Sequence, residues 1–240
     1  MNKAQLILAL DIETFERARQ LIDDVEDSVD IFKVGNQMFT AYGPFITRYL
    51  QSKGKKVFLD LKYHDIPNTV ASAVKSAVSL SVSPNKDPEF APIYMLTVHT
   101  AGGKEMLEAS VKAAVDQAKA LGVARPLIVG VTVLTSMAKE ADLEKLVLER
   151  ARLAKEAGLD GVVASVEEAA MIRRELGPEF LIVTPGIRPA DASSNDQKRV
   201  ATPHTAIAQG SNFLVVGRPI IQASSPRTAA HKILEEMKKA

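Results

Sequence analysis

The sequence contains no cysteine. That excludes disulfides, thiolate nucleophiles, and thiolate-bound zinc or iron-sulfur centres. Histidine is scarce as well, with four residues scattered over 240, so a zinc site is not expected. An excess of one charge is also missing. Thirty Lys and Arg face twenty-nine Asp and Glu, a formal net charge of +1, which gives no pull towards nucleic acid or a membrane surface. The apolar run near the start is short and is interrupted by Asp11, Glu13 and Glu16; it reads as neither a signal peptide nor a spanning helix, and a cytoplasmic protein is expected. No Gly-x-Gly-x-x-Gly follows that run, so a dinucleotide site is not indicated.

What is present is a regular alternation. Residues 5–10 form an apolar segment, and 13–25 follow with Phe15, Ala18, Leu21 and Ile22 at helical spacing. The pattern recurs with strands expected at 30–34, 56–62, 94–100, 126–133, 161–164, 180–184 and 213–216. Helical stretches separate them, including 68–80, 104–121, 143–157, 166–176 and 225–238. Residues 81–92, with three prolines, read as a surface loop. Residues 190–199 are polar and aperiodic, the composition of a loop or lid. Eight strands alternating with helices predict a single α/β domain over residues 1–240, a (β/α)8 TIM barrel.

Such barrels carry their chemistry at the carboxyl ends of the strands, and polar residues fall there. Asp11 follows the first strand, Lys33 lies within the second, Asp60 and Lys62 end the third, and His99 ends the fourth. Thr135 and Ser136 follow the fifth, Arg188 the seventh and Arg218 the eighth. Strand alternation puts Asp60 and Lys62 on one face, with Leu59 and Leu61 on the other. An ion pair at the end of an apolar strand is either a structural closure or a site of tuned chemistry. Lys33, inside Ile31-Phe32-Lys33-Val34, needs a carboxylate partner such as Asp60 if it points inward. Gly217-Arg218-Pro219 places backbone donors, a helix start and a guanidinium where barrels often hold phosphate. Arg188 adds charge on that side, and Gln197 is placed to reach back from its loop. His99, beside Ala101-Gly102-Gly103, is read as bonding nearby backbone.

The motifs together carry a resemblance. Leu8-Ala9-Leu10-Asp11, Lys33-Val34-Gly35, the run Phe58-Leu59-Asp60-Leu61-Lys62-Tyr63-His64-Asp65-Ile66-Pro67-Asn68-Thr69, Thr132-Val133-Leu134-Thr135-Ser136, Thr184-Pro185-Gly186-Ile187-Arg188-Pro189 and Val216-Gly217-Arg218-Pro219-Ile220 span nearly the whole chain. The chain resembles the orotidine 5'-monophosphate decarboxylases, and closely their bacterial form. Asp-x-Lys-x-x-Asp alone is shared with hexulose-phosphate synthases and ketogulonate-phosphate decarboxylases; the full run from His64 to Thr69, the Thr-Pro-Gly-Ile-Arg-Pro segment and Lys33 select the orotidylate enzymes.

The resemblance implies conversion of orotidine 5'-monophosphate to uridine 5'-monophosphate (UMP) without metal or organic cofactor. It implies catalytic roles for Lys62, Asp60, Lys33 and Asp65, the last acting across a homodimer interface with Ile66 and Thr69. It further implies that Asp11 binds the ribose hydroxyls and Thr135 and Ser136 the pyrimidine edge or adjoining loop. Arg188, Gln197, Gly217 and Arg218 would take the phosphate, and the loop after Arg188 would close over it. Neither nucleic acid nor membrane is an expected partner. Two alternatives remain beside this reading: a metal-dependent sugar-phosphate lyase of the same superfamily, which needs a further metal ligand where Lys33 stands, and a catalytically silent nucleotide-binding barrel, which has no need of Asp60 and Lys62.

Overall fold

The computed structural model describes residues 4–134, 142–189 and 201–240. Eight parallel strands close into a barrel in sequence order: β1 (Gln5–Ala9), β2 (Ile31–Gly35), β3 (Lys56–Tyr63), β4 (Ile93–His99), β5 (Leu127–Val131), β6 (Gly161–Val163), β7 (Leu181–Thr184) and β8 (Phe213–Val216), which pairs back with β1. The helices are α1 (Phe15–Val25), α2 (Asn36–Tyr42), α3 (Pro44–Ser52), α4 (Pro67–Ser79), α5 (Gly103–Leu121), α6 (Leu143–Glu156), α7 (Val166–Leu176), α8 (Pro203–Ala208), α9 (Arg218–Ile221) and α10 (Pro226–Lys238). The expected (β/α)8 barrel is therefore the fold. No described helix is long and apolar enough to cross a membrane.

Local chemistry sets the element ends. Thr14 caps α1 by accepting from the Arg17 amide, and Ser165 and Glu168 form a reciprocal capping box at α7. Prolines stand in the first turns of α3, α4 and α10, where their missing N–H costs no helical bond. Two boundaries go beyond what periodicity alone gives. The helical region around Met38 to Leu50 is two helices, because Gly43 between them adopts φ +53°. The helix after β3, expected over 68–80, starts at Pro67 and ends at Ser79, and Ile66 precedes it without a side-chain cap.

Alternation along the strands sorts the apolar residues into two cores. Outward-facing Leu6, Leu8, Phe32, Val34, Leu59, Leu96 and Val98 pack under the helices with Leu21, Ile22, Ile46, Val74 and Ile172. Inward-facing Ile7, Ile31, Phe58, Met95, Val129 and Phe213 fill the barrel floor. Each fully buried side chain of this kind stabilises the fold by roughly 1.5–3 kcal/mol, and the barrel interior is a packed core. The 81–92 loop is tied at both ends by Gln51. Its amide donates to the Leu80 carbonyl at 3.0 Å and the Ala91 carbonyl at 2.8 Å.

At the end of β4 a 3₁₀ turn (Thr100–Gly102) leads into α5, and His99 accepts from the Ala101 amide through Nδ1 at 3.2 Å. This is the backbone role expected of it. The His64 ring stacks on it at 5.2 Å. Burial first, then the charges of His64, Arg150 and Lys62, hold the His99 imidazole below its ordinary value of 6.5. A base whose folded pKa is lowered takes up its proton more readily when unfolded, so stability falls as the pH drops below 6.5 towards the folded value. His99→Gln keeps an acceptor for Ala101 but cannot titrate. Chemical denaturation of this variant is expected to show a shallower loss of stability over that acid window than the parent; equal slopes would contradict the assignment.

Candidate active site

The plug of the barrel ends one layer below its mouth; the next inward residue of β1 is the small Ala9, and on β2 to β4 the next inward residues are polar. Asp11 follows β1, Lys33 lies on β2, Asp60 and Lys62 on β3, and Thr97 on β4, two residues beyond the floor residue Met95. On β5 to β8 the same level is apolar: Val131, Val163, Val183 and Val215. One arc of the mouth is thus charged and the other hydrocarbon. Asp11, Lys33, Asp60 and Lys62 on one side and the four valines on the other line a cavity of about 520 Å³, within the usual size range for small-molecule sites.

Asp60 is the centre of the charged arc. It is 7% exposed, and one carboxylate oxygen, Oδ2, lies 2.9 Å from Lys62 Nζ and 3.6 Å from Lys33 Nζ. Lys33 Nζ also reaches Asp11 Oδ1 at 3.1 Å. The chain of charge is therefore Asp11, Lys33, Asp60, Lys62, alternating in sign. At an effective dielectric near 20, each cation attracts Asp60 by roughly 5 kcal/mol before desolvation is counted, enough to make a buried carboxylate tolerable where an unpaired one would not be. Gly35 leaves room for this geometry, since a Cβ there would stand 3.0 Å from Lys33 Nζ and 3.4 Å from Asp11 Oδ1.

Lys62 is placed by a break in the sheet. Leu59 pairs with Leu96 but Tyr63 pairs with Val98, so four positions of β3 are spanned by two of β4. Within this bulge Lys62 takes φ +51°, a left-handed conformation that costs a non-glycine residue about 1–3 kcal/mol. Its amide is satisfied by the Thr97 hydroxyl at 2.8 Å, and the same hydroxyl donates to Asp60 Oδ1 at 3.0 Å. Asp60 and Lys62 do share one face, as strand alternation predicts, but through a bulged strand that runs on to Tyr63. Thr97 was missed by the sequence reading. A hydroxyl at the inward parity of Met95 and His99, inside the otherwise apolar run 93–98, was the signal available.

On the opposite rim, Arg188 is buried at 5% exposure and lines the cavity with Gly217 and Arg218. The base of its loop is pinned where the Arg188 amide donates to the Ala201 carbonyl at 2.9 Å. The helix after Gly217 is the single turn α9, so the positive charge on this rim comes from two guanidinium groups rather than from a helix dipole. Asp65, Ile66 and Thr69 do not join this cavity. All three are exposed, Ile66 at 66%, and the Asp65 carboxylate accepts from the Ile66 amide at 2.6 Å. Among the described residues Asp65 forms no ion pair, and none of them form a group of three or more potential metal-ligating His, Cys, Asp or Glu side chains. Thr135, Ser136 and Gln197, with the 190–199 loop, lie outside the described residues.

Residues 4–233 match the family model described as Orotidine 5'-phosphate decarboxylase / HUMPS family. The chain is 47% identical to the orotidine 5'-phosphate decarboxylase of Carboxydothermus hydrogenoformans, over 97% of this chain and 95% of that protein. It is 45% identical to the enzyme of the same name from Moorella thermoacetica, over 98% and 92% of the two chains. The crystal structure of orotidine 5'-phosphate decarboxylase from Lactobacillus acidophilus matches with a TM-score of 0.82 at 34% identity, covering 98% of this chain and 99% of that one. Barrel, motif positions and near full-length identity agree, and the chain belongs to the orotidine 5'-phosphate decarboxylase / HUMPS family.

Proposed function

We propose that this chain is a cytoplasmic enzyme that decarboxylates orotidine 5'-monophosphate to UMP, the last step of pyrimidine nucleotide synthesis, and that one barrel domain carries the chemistry. The observation behind this reading is Asp60 held between two ammonium groups at the edge of a hydrocarbon-walled cavity, with arginines on the far rim. That arrangement suits a substrate with a phosphate at one end and a carboxylate leaving a ring at the other. Near full-length identity to proteins named for this activity supports the same conclusion.

The reaction breaks the bond between C6 and the carboxylate carbon. Carbon dioxide leaves and the electron pair stays at C6, where no adjacent carbonyl can delocalise it. Stabilisation must come from a preorganised cation. Lys62 Nζ takes that role, then transfers its proton to C6 to give UMP and is reprotonated from solvent. Asp60 faces the departing carboxylate, and their repulsion relaxes as the carboxylate becomes neutral carbon dioxide. Lys33 and Lys62 hold Asp60 in place, and Asp11 orients Lys33 and meets the ribose hydroxyls. Arg188, Arg218, the Gly217 backbone and Gln197 bind the phosphate, with Thr135 and Ser136 at the pyrimidine edge. Closure of the loop after Arg188 spends phosphate binding energy on assembling the site and excluding water.

The site is completed in a homodimer, where the partner subunit's Asp65 extends the alternating chain beyond Lys62. Support comes from the exposure of residues 64–66 directly beyond β3, with Ile66 offering a large apolar side chain to solvent. Ile66 and Thr69 would enter the neighbouring pocket together with Asp65.

Two experiments test this. Chelator-treated protein given orotidine 5'-monophosphate should show the ultraviolet absorbance change of conversion to UMP. No conversion by folded dimer, with turnover of hexulose phosphates on adding magnesium, would move the chain to the sugar-phosphate branch of its family. Separately, Asp60→Ala and Asp65→Ala proteins, each inactive, should regain activity when mixed as heterodimers. Random pairing restores about a quarter of the wild-type sites; heterodimers that form and stay inactive would rule out the shared site.

A further inference from the structure

We propose that Thr97 is a positioning residue, a single hydroxyl that sets both the Asp60 carboxylate and the backbone of Lys62 and so fixes the two charged groups relative to the reacting carbon. This rests on the decarboxylase reading of the site. Thr97 is fully buried, yet it is not tied into the sheet through its side chain in the ordinary way. Its Oγ1 stands at the opening in the β3–β4 ladder, where the bulge leaves the Lys62 amide facing β4 with no carbonyl in register. The hydroxyl supplies the missing acceptor at 2.8 Å. Its one hydrogen then points to Asp60 Oδ1 at 3.0 Å.

The valences close without remainder, since a hydroxyl has one proton to give and lone pairs to receive. Division of labour on the carboxylate follows. Oδ2 meets the two ammonium groups and Oδ1 meets Thr97, so the carboxylate plane is held from both oxygens and cannot rotate to face one lysine alone. The second bond acts on Lys62 itself. A lysine with φ +51° needs its amide held for that conformation to persist, and the group that holds it is the one that orients its counter-ion. Thr97 thus couples the aim of the proton donor to the aim of the carboxylate. It touches neither substrate nor reacting atoms on this account, and acts through Lys62 and Asp60.

Thr97→Val keeps shape and bulk but deletes both bonds, whereas Thr97→Ser keeps both. With orotidine 5'-monophosphate as substrate and UMP as binding probe, Thr97→Val is expected to lower kcat by about 10²-fold, the scale of an ångström-size misplacement, while UMP affinity stays within about threefold of wild type. Thr97→Ser should restore kcat to within about threefold of wild type. A crystal structure of Thr97→Val should show Lys62 leaving the left-handed region or the Asp60 carboxylate rotated. The proposal is overturned if Thr97→Val turns over like wild type, if Thr97→Ser is as impaired as Thr97→Val, or if kcat and UMP affinity fall in step, as general damage to the fold would cause. Should the valine variant not fold, the same comparison is made between Thr97→Ser and Thr97→Ala. A wild-type protein without decarboxylase activity would sink the functional reading instead; the crystal structure still decides whether Thr97 sets the geometry of Lys62 and Asp60.

Discussion

The Asp60 carboxylate, buried and shared between Lys62 and Lys33, is the constraint to which the mouth of the barrel conforms. A lone carboxylate in that position would be expelled or neutralised, and two lysines side by side would repel. Interleaved, the three groups tolerate burial. The cost is geometric precision, because removing any one leaves an uncompensated charge at a largely buried site. Several local features answer to that need: the small Gly35 beside Lys33, the bulge that turns Lys62 inward, and the Thr97 hydroxyl that closes the bulge.

The closed sheet supplies the rest. Because inward positions alternate along every strand, residues far apart in sequence reach the mouth of the barrel together, with an ionic arc from Asp11, Lys33, Asp60 and Lys62 at β1 to β3 and a valine-lined arc on β5 to β8. Hydrocarbon on one side keeps the local dielectric low, which strengthens the fields from the other side. On the proposed mechanism this is where a ring carbanion gains from a nearby ammonium. Arg188 and Arg218 line the same cavity from the ends of β7 and β8, so on that mechanism a phosphate anchor and the reacting ring would occupy different parts of one pocket.

Much of this was legible in the sequence because strand alternation is a strong constraint. Asp60 and Lys62 fall two apart at the end of an apolar run, and the structure brings them together at 2.9 Å with Lys33 on the neighbouring strand. The barrel itself could be read from eight apolar segments separated by helical ones, and it closes in that order. Other features depend on registers that a single strand does not encode. The bulge at Lys62 is a relation between β3 and β4, so neither the left-handed lysine nor the role of Thr97 shows in either segment alone. The break between α2 and α3 was hidden because apolar residues on both sides of Gly43 keep a continuous helical spacing. The expectation that Asp65 acts across an interface came from family resemblance and from no spacing in the chain; in the single chain Asp65 is exposed and bonds its own neighbour's amide.

The central claim is that the Lys62 ammonium, held against Asp60, stabilises the carbanion and protonates it. Single-turnover decarboxylation by Lys62→Ala, measured beside its affinity for UMP, tests this most directly. The account predicts a loss of at least about 10³-fold in the chemical step, with UMP still bound through the phosphate side of the cavity. Near-normal turnover by a variant that binds UMP normally would contradict it and require a different proton donor.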